Sequence, residues 1–454
     1  MVVMKFGGTS VKDANAIRNV INIVRNRYPW SWIVVSALSG VTNKLVKISE
    51  NLQQGNLSLA NELADEIEII HLKLADSLEI IHCKQFVSNY ISHLKSIFAA
   101  INVLGELTPK SIDLILATGE ILSSKLIAEY AIKVGLNAVH CDSTQIIKTD
   151  SVFNAAELDF GSTKKQINDF LLANSKVDYY ISGGFIASDC NNNITTLGRG
   201  GSDYTAAVIS QAIEAKCLEI WTDVDGILTC DPRLVKNAKL ISQVSYQEAA
   251  ELAYFGAKVL HPKTIYPAVS QDIPVYVLNS TNPTCNGTLI SRNPVTTDMI
   301  KSIAFRRNIT LINIISNRML GAFGFLAKVF EVFKNNRVSV DLVSTTEVSI
   351  SLTIDYTESL AKIINELSNF ATIEQFTNMA NISAIGSGMR ATSGIASRFF
   401  TTLKGVNISM VTFGASEVNL SVVIKDDELE KAVTLLHKEF FDGLEQQDIF
   451  QELN

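Results

Sequence analysis

The sequence predicts an α/β fold built on a mainly parallel sheet, followed by two small ferredoxin-like α+β units. Three observations carry the prediction. A strand, polar turn, helix unit occurs twice within the first fifty residues, the alternation that builds a parallel sheet. Beyond about Ile300 the chain changes character and repeats itself at an offset of 394 − 324 = 70 residues. The 454 residues, 47% hydrophobic and 19% charged, suffice for several domains with substantial cores and lie far from the composition of disordered chains.

The elements follow in order. Residues 1–6 read as a buried strand, and residues 16–24 place Ile17, Val20, Ile21 and Val24 at helical spacing, with Gly7-Gly8-Thr9-Ser10 between them. A second strand over 32–36 ends in Leu38-Ser39-Gly40-Val41-Thr42-Asn43 before another helix. Residues 56–104 are almost continuously helical in pattern. They carry His71, His82 and His93 eleven apart, so neighbours are separated by about 16 Å along one helix, too far for a shared ion. These histidines are expected at the surface. Residues 112–116 look strand-like and lead into Ala117-Thr118-Gly119-Glu120. A strand over 179–182 leads into Gly183-Gly184-Phe185, and a hairpin turns at Asn191-Asn192-Asn193. It returns through 194–197 into Gly198-Arg199-Gly200-Gly201-Ser202-Asp203, with a helix over 204–215. A strand over 217–221 opens Thr222-Asp223-Val224-Asp225-Gly226, and 276–292 read as the closing strand and loop of this half.

In the second half, GFLAKVFEVFKNNRVSVDLVSTTEVSISLTI from Gly324 aligns with GIASRFFTTLKGVNISMVTFGASEVNLSVVI from Gly394. Each copy reads strand, turn, helix, strand, turn, strand, a unit too short for an ordinary enzyme domain and suited to pairing or ligand sensing. The copies differ where chemistry would sit: Asp341 becomes Val411, Phe325 becomes Ile395 and Thr345 becomes Ala415. Only the first copy keeps an anion able to hold an amino-acid cation, so the second is expected to serve pairing.

Charge narrows the partners. With 39 Lys+Arg against 46 Asp+Glu, the net charge of −7 argues against nucleic acid or an anionic membrane. Apolar runs fall short of the ~20 residues of a bilayer span. The N-terminus lacks a secretion-signal pattern, and six scattered cysteines indicate neither a disulfide framework nor a zinc site, so the expected location is cytoplasmic.

Glycine-rich turns between strand ends and helix starts expose backbone N–H groups at the positive end of a helix dipole, which suits phosphate. Gly7-Gly8, Gly183-Gly184 and Gly198 to Gly201 all have this setting, and none fits the P-loop or the dinucleotide fingerprint. For any single turn, a need for positive φ is the plainer explanation. Their neighbours shift the balance, because Lys5 precedes the first turn, Arg199 sits inside the third, and Asp203 closes it at a helix start. Cations beside N–H cradles are what phosphoryl transfer requires.

On these stretches, together with Tyr204-Thr205-Ala206-Ala207, Asp231-Pro232-Arg233 and Phe255-Gly256-Ala257-Lys258-Val259-Leu260-His261-Pro262, the chain resembles aspartokinase. The repeat is similar to the tandem ACT regulatory domains of those enzymes. The resemblance implies a three-layer amino-acid-kinase fold over 1–295, an effector-binding ACT domain over 300–378 and a pairing ACT domain over 379–454, either separate from the first or intertwined with it. It implies transfer of the ATP γ-phosphate to the β-carboxylate of L-aspartate, giving 4-phospho-L-aspartate, the first step toward lysine, threonine and methionine. Mg²⁺ would accompany ATP, with its protein ligands left open. Lys5 would act on the transferring phosphoryl group, with Asp203 organising it. Ser36, Thr42, Glu120, Arg199 and Ser202 would surround aspartate, with Glu120 on the ammonium and Arg199 on a carboxylate. ATP would lie against Lys5, Gly7, Gly8, Thr222, Asp223, Asp231, Arg233, Lys258 and Val259. The first repeat resembles lysine-sensitive members at Met319, Gly324, Phe325, Leu326, Ser339, Val340, Asp341, Thr345, Thr346 and Glu347, which implies feedback inhibition by L-lysine and a homodimer or tetramer.

Overall fold

The computed structural model describes residues 1–255, 262–292, 294, 300–320, 323–442 and 450–451. These divide into two compact units, one of Met1–Ile227 with two later segments ending at Pro294, the other of Leu228–Ile241, Gln247–Lys258 and the remainder from Val295.

In the first unit the elements run β1 (Val2–Phe6), α1 (Ala14–Arg27), β2 (Ser31–Val35), α2 (Val41–Gln53), α3 (Leu57–Ser77), α4 (Cys83–Leu104), α5 (Pro109–Lys133), β3 (Ala138–Cys141), α6 (Ser143–Ile146), α7 (Phe160–Ala173), β4 (Tyr179–Gly183), β5 (Ile186–Ser188), β6 (Ile194–Thr196), α8 (Gly201–Ala212) and β7 (Leu218–Thr222). This unit is completed by β9 (Gln243–Ser245), α10 (Pro262–Val269), β10 (Val275–Asn279) and β11 (Thr288–Ser291), whereas the intervening β8 (Leu240–Ile241) and α9 (Tyr246–Tyr254, all but its first residue) belong to the second unit. Eight strands form one sheet in the order β3-β4-β2-β1-β7-β10-β11-β9. It is parallel from β3 to β10, and β11 runs antiparallel to β10. Strands such as β2, buried at all five positions, have the apolar character of a sheet covered on both faces.

The two-residue period of β1 decides which side chain faces which layer. Val2, Met4 and Phe6 enter a core shared with α1 to α5. Val3 and Lys5 point the other way, toward the side on which α8 packs on β1, β2 and β7. A lysine on a central strand is thereby delivered to the start of α8.

Two expectations are corrected here. Residues 112–116 are not a strand: they lie inside α5, whose start is marked by Thr108 accepting from the Ser111 amide at 3.2 Å and by Pro109 in its first turn. Thirteen of its residues are buried, so the helix is apolar around most of its circumference and shows no amphipathic period. His71 is not at the surface. It is fully buried on α3, its Nδ1 2.7 Å from the Ile67 carbonyl oxygen, and burial pulls its pKa down to about 4, which makes it a neutral core residue. His82 and His93 are exposed as expected. His82, Cys83 and Glu129 place ligand atoms within 4.8 Å of one another. Lys125 already holds Glu129 at 2.7 Å, and burial pushes the Cys83 thiol up to about 11.

The second unit contains a six-stranded antiparallel sheet built from β12 (Ile300–Ile315), α11 (Phe325–Asn335), β13 (Val343–Thr345), β14 (Ser349–Asp355), α12 (Leu360–Ser368), β15 (Thr372–Gly386), α13 (Ile395–Thr402), β16 (Met410–Phe413), β17 (Asn419–Lys425) and α14 (Leu429–Phe441). A short β18 (Phe450–Gln451) pairs with β8. The sheet order is β13-β14-β12-β15-β17-β16. The repeat is visible in the backbone. Gly324 and Gly394 cap α11 and α13 at φ of 81° and 83°, and Asn308 and Asn378, again 70 apart, both take positive φ where β12 and β15 are irregular. The two long strands pair along their whole lengths. Ile300–Arg306 lie against the half of β15 that pairs β17, while Ile309–Ile315 lie between β14 and the other half of β15. The expected boundary between 378 and 379 therefore falls inside β15, and residues 300–306, placed in the first copy from sequence, extend the sheet of the second. Helix α9 is tied to this unit by the buried Glu248–Lys301 pair at 2.8 Å and by Glu251, which accepts from Asn419 at 2.9 Å.

Candidate active site

In open parallel sheets the strand ends and the helix starts that follow them form a crevice. Here the C-terminal ends of β1, β2 and β4 and the start of α8 line a cleft of about 640 Å³, within the range of small-molecule sites. Lys5, Gly8, Ser36, Thr42, Glu120, Arg199, Ser202 and Asp203 all face it. These include both expected catalytic residues and all five expected substrate residues.

Close backbone packing sets the geometry. A Cβ on Gly184 would lie 2.5 Å from the Ser202 Cα, and one on Gly201 would lie 2.7 Å from the Phe185 ring. The β4–β5 turn is therefore pressed against the first turn of α8. This packing accounts for Gly184, while a Cβ on Gly183 would lie 3.0 Å from the Glu120 carbonyl on α5, so close backbone approach accounts for both glycines. Gly200 caps α8 at φ 76°, and Gly40 caps α2 at φ 83°. The cleft thus receives two helix starts, each with exposed amides and the positive end of its dipole.

Within it the Lys5 ammonium lies 2.7 Å from Asp203, both largely shielded from solvent. Arg199 is exposed and, among the described residues, forms an ion pair with no carboxylate. Glu120 is the opposite case. It is 4% exposed, and its Oε2 has no hydrogen-bond partner among the described residues. Burial pushes its pKa up to about 7, against smaller lowering by the Ala37 amide and by Lys5. The cleft therefore presents a free cation and a buried, under-satisfied carboxylate beside a Lys–Asp pair.

The remaining expected nucleotide residues are divided. A Cβ on Gly8 would meet the Ala37 carbonyl at 3.0 Å, so this position needs the space glycine leaves, whereas one on Gly7 would make only ordinary contact with Lys5 Nζ at 3.6 Å. Thr222 ends β7 and donates to Asp223 at 3.2 Å. Asp231 and Arg233 belong to the second unit, where Arg233 Nη2 lies 2.6 Å from Asp231 Oδ2. Lys258 and Val259 lie outside the described residues.

Among the expected effector residues, Met319, Phe325 and Val340 pack against one apolar core of the second unit, with Phe325 edge-on to Phe370. Gly324 caps α11, and Leu326 is exposed in its first turn. Ser339 precedes Val340 and Asp341 in the segment between α11 and β13, and Thr345, Thr346 and Glu347 form the exposed end and turn of β13. The Asp341 carboxylate accepts a short hydrogen bond from the Tyr254 hydroxyl and lies 3.3 Å from Arg306, which also lies over the Tyr254 ring.

Sequence reasoning missed Asn154, Phe185 and Thr196, which line the cleft, and Asp113, which holds two of them. Asp113 carried a signal, being one helical turn and a further turn before Glu120. It was hidden because that stretch had been read as a strand.

Comparison with known proteins gives consistent matches. Residues 1–279 match the amino acid kinase family, and residues 312–361 and 382–440 match an ACT domain. Aspartokinase 1, chloroplastic, of Arabidopsis thaliana is 38% identical over 97% of this chain and 80% of its own. Lysine-sensitive aspartokinase 3 of Escherichia coli is 36% identical over 97% of this chain and 99% of its own. Two solved structures of E. coli aspartokinase III, one in complex with lysine and aspartate (T-state) and one with aspartate and ADP (R-state), each match with a TM-score of 0.84 and 35% identity. Each covers 97% of this chain and all of its own.

Proposed function

The chain belongs to the aspartokinases of the amino acid kinase family, and we propose that its cleft holds the acceptor amino acid between Glu120 and Arg199, with Lys5 and Asp203 at the transferring phosphoryl group. The activity is that of an aspartate kinase. The observation that carries the site reading is the placement, in one cleft, of Arg199, without an ion-pair partner among the described residues, and a buried Glu120 beside the Lys5–Asp203 pair.

The chemistry needs no general base. The β-carboxylate of aspartate, with an ordinary pKa near 3.9, is ionised at neutral pH. One of its oxygens forms a bond to the γ-phosphorus as the bond to the β,γ-bridging oxygen breaks, and ADP leaves with that electron pair. The obstacle is that two anions must be held in line. Lys5 neutralises the phosphoryl oxygens. Asp203 holds Lys5 in place, and Arg199 takes the acceptor's α-carboxylate in a planar fork. Ser36, Thr42 and Ser202 complete the acceptor shell, and the glycines at 7 and 8 allow the phosphates to approach the backbone, with Thr222 and Asp223 at the nucleotide. Magnesium bound with ATP would supply charge neutralisation on the phosphates, and Asp203, the cleft carboxylate beside Lys5, would be the residue to hold it.

The second unit is the regulatory half, with L-lysine acting at the first repeat and the second repeat pairing chains into a dimer. Val411 and Phe413 on β16, both about two-fifths exposed, support that pairing role. No helix among the described residues is long and apolar enough to cross a membrane. All six cysteines are free, which supports a cytoplasmic location.

The test is turnover of MgATP to ADP with L-aspartate, L-glutamate or UMP, each with and without L-lysine, with hydroxylamine trapping of any acyl phosphate. Aspartate-dependent turnover that yields a hydroxamate and falls with lysine is expected. Turnover on another acceptor alone overturns the substrate.

Glu120 gives a pH prediction. Its folded-state pKa lies above the ordinary carboxylate value, so its contribution to stability is full below about 4.5 and is lost as pH rises through about 7. An arriving ammonium reverses the preference and favours the charged form. KM for aspartate is therefore expected to rise as pH falls below 7. Glu120→Gln should raise KM about 10- to 100-fold, flatten that dependence, and raise Tm at pH 8. A KM that keeps its pH dependence in Glu120→Gln would place the titrating group elsewhere.

A further inference from the structure

The face of α5 that carries Glu120 also carries Leu116 and Asp113, four and seven residues earlier, the spacing that keeps side chains on one side of a helix. Asp113 is fully buried, and no cation pairs with it among the described residues. Its carboxylate instead receives three donors: the Thr196 hydroxyl at 2.6 Å and the Thr196 amide at 3.2 Å, and the Asn154 amide at 2.9 Å. Asn154 stands at φ 71°, a conformation that costs a residue other than glycine and that persists where neighbours over-determine it. Thr196 is the last residue of β6, three positions before Arg199, and the Asn154 carbonyl lies 3.8 Å from where a Cβ on Gly198 would stand. Asn154, Thr196, Arg199 and Glu120 all line the cleft.

One buried carboxylate therefore joins the helix that presents Glu120 to the hairpin and loop that present Arg199. We propose that Asp113 is a positioning residue that fixes the span between Glu120 and Arg199, and with it the preference of this enzyme for a four-carbon amino diacid over its five-carbon homologue. The proposal rests on the reading of Glu120 and Arg199 as the groups that hold the two ends of the acceptor.

The two backbone amides can only donate, and both reach the same oxygen, Oδ2, so this position needs a side chain that accepts there. The Thr196 hydroxyl on Oδ1 can donate or accept, so an amide of the same shape can keep the set, whereas an apolar side chain leaves two buried amides unpaired. A small misplacement of a substrate clamp is costly even when the altered residue does not touch the substrate.

Asp113→Ala, which removes the acceptor for both amides, is expected to raise KM for L-aspartate about tenfold or more, while KM for ATP stays within about twofold and the ratio of kcat/KM for L-aspartate over L-glutamate falls; Asp113→Asn, which keeps an acceptor for them, should recover most of that loss. Thr196→Val, which removes only the hydroxyl, tests the same link if Asp113→Ala folds poorly. It should move KM for aspartate in the same direction, and Thr196→Ser, which keeps the hydroxyl, should recover most of that loss. The proposal is overturned if these variants lower kcat and Tm while KM for aspartate and the aspartate-to-glutamate ratio stay at wild-type values, because that outcome is a structural role alone. A wild-type protein with no aspartate-dependent turnover would instead overturn the acceptor reading on which the proposal rests.

Discussion

Lys5→Met is expected to lower kcat for aspartate phosphorylation by about 10²–10³-fold with the fold intact. Lys5 stands at the end of the central strand β1, its stem packed on the α8 side of the sheet and its ammonium 2.7 Å from Asp203. Methionine keeps most of the stem's volume and loses the charge, so the packing survives and the electrostatics do not. A preorganised cation aimed at charge that develops in the transition state is worth far more than the same cation in water, and losing one donor of this kind costs about 10²–10³ in rate. The loss should fall on kcat more than on KM for aspartate if, as proposed, Glu120 and Arg199 hold the acceptor independently. Asp203→Asn should have a smaller effect of the same kind, since it loosens Lys5 without removing it. A Lys5→Met enzyme with wild-type kcat would show that another cation faces the phosphoryl group. Steady-state kinetics with both substrates varied, alongside a thermal melt, makes the distinction.

What the sequence showed of this site depended on whether a residue's role was local. Lys5, Gly7-Gly8, Arg199 and Asp203 sit at strand ends and helix starts, where chain direction alone fixes what the side chain faces, and the cleft contains all but Gly7 of them. Asp113 and Asn154 act through partners 41 residues apart in the chain, a pairing with no periodic trace. The strand expected at 112–116 failed for a related reason. Periodicity reports a boundary between apolar and polar surroundings, and α5 has almost no such boundary, so only the Thr108-Pro109 start distinguished it from a strand. In the second unit the 70-residue repeat located α11 and α13, one helix per copy, and left out α12 and α14, which lie beyond the aligned stretches. It did not show that β12 and β15 each serve both copies, because a repeat read along the chain assigns each strand to the copy that contains it, whereas hydrogen bonding assigns it to its neighbours. Asp341 was likewise found as a lone acid in one copy, without its partners Tyr254 and Arg306.

Those partners sharpen the second large effect, on regulation. Asp341→Ala is expected to raise the L-lysine concentration for half-inhibition about 5- to 150-fold, the range of a coupling of about 1–3 kcal/mol, with little change in activity without lysine. An ammonium that reaches Asp341 meets a carboxylate already holding the Tyr254 hydroxyl and facing Arg306. Burial pushes the pKa of Asp341 up, the Tyr254 hydroxyl and Arg306 pull it back, and a cationic effector would strengthen that lowering by adding positive charge. A lysine effector would thus gain an ion pair only in an arrangement that admits it, and such differential affinity would shift an equilibrium between active and inhibited forms. Alanine removes the anion and the gain together. It also frees Tyr254 at the end of α9, so a second variant separates regulation from simple loosening. Tyr254→Phe deletes the hydroxyl contact but leaves the anion, and it should remain lysine-sensitive. Lysine titrations of both variants decide the matter. Equal loss of inhibition in both would assign the effect to the Tyr254–Asp341 contact, and unchanged sensitivity in Asp341→Ala would move the effector site elsewhere.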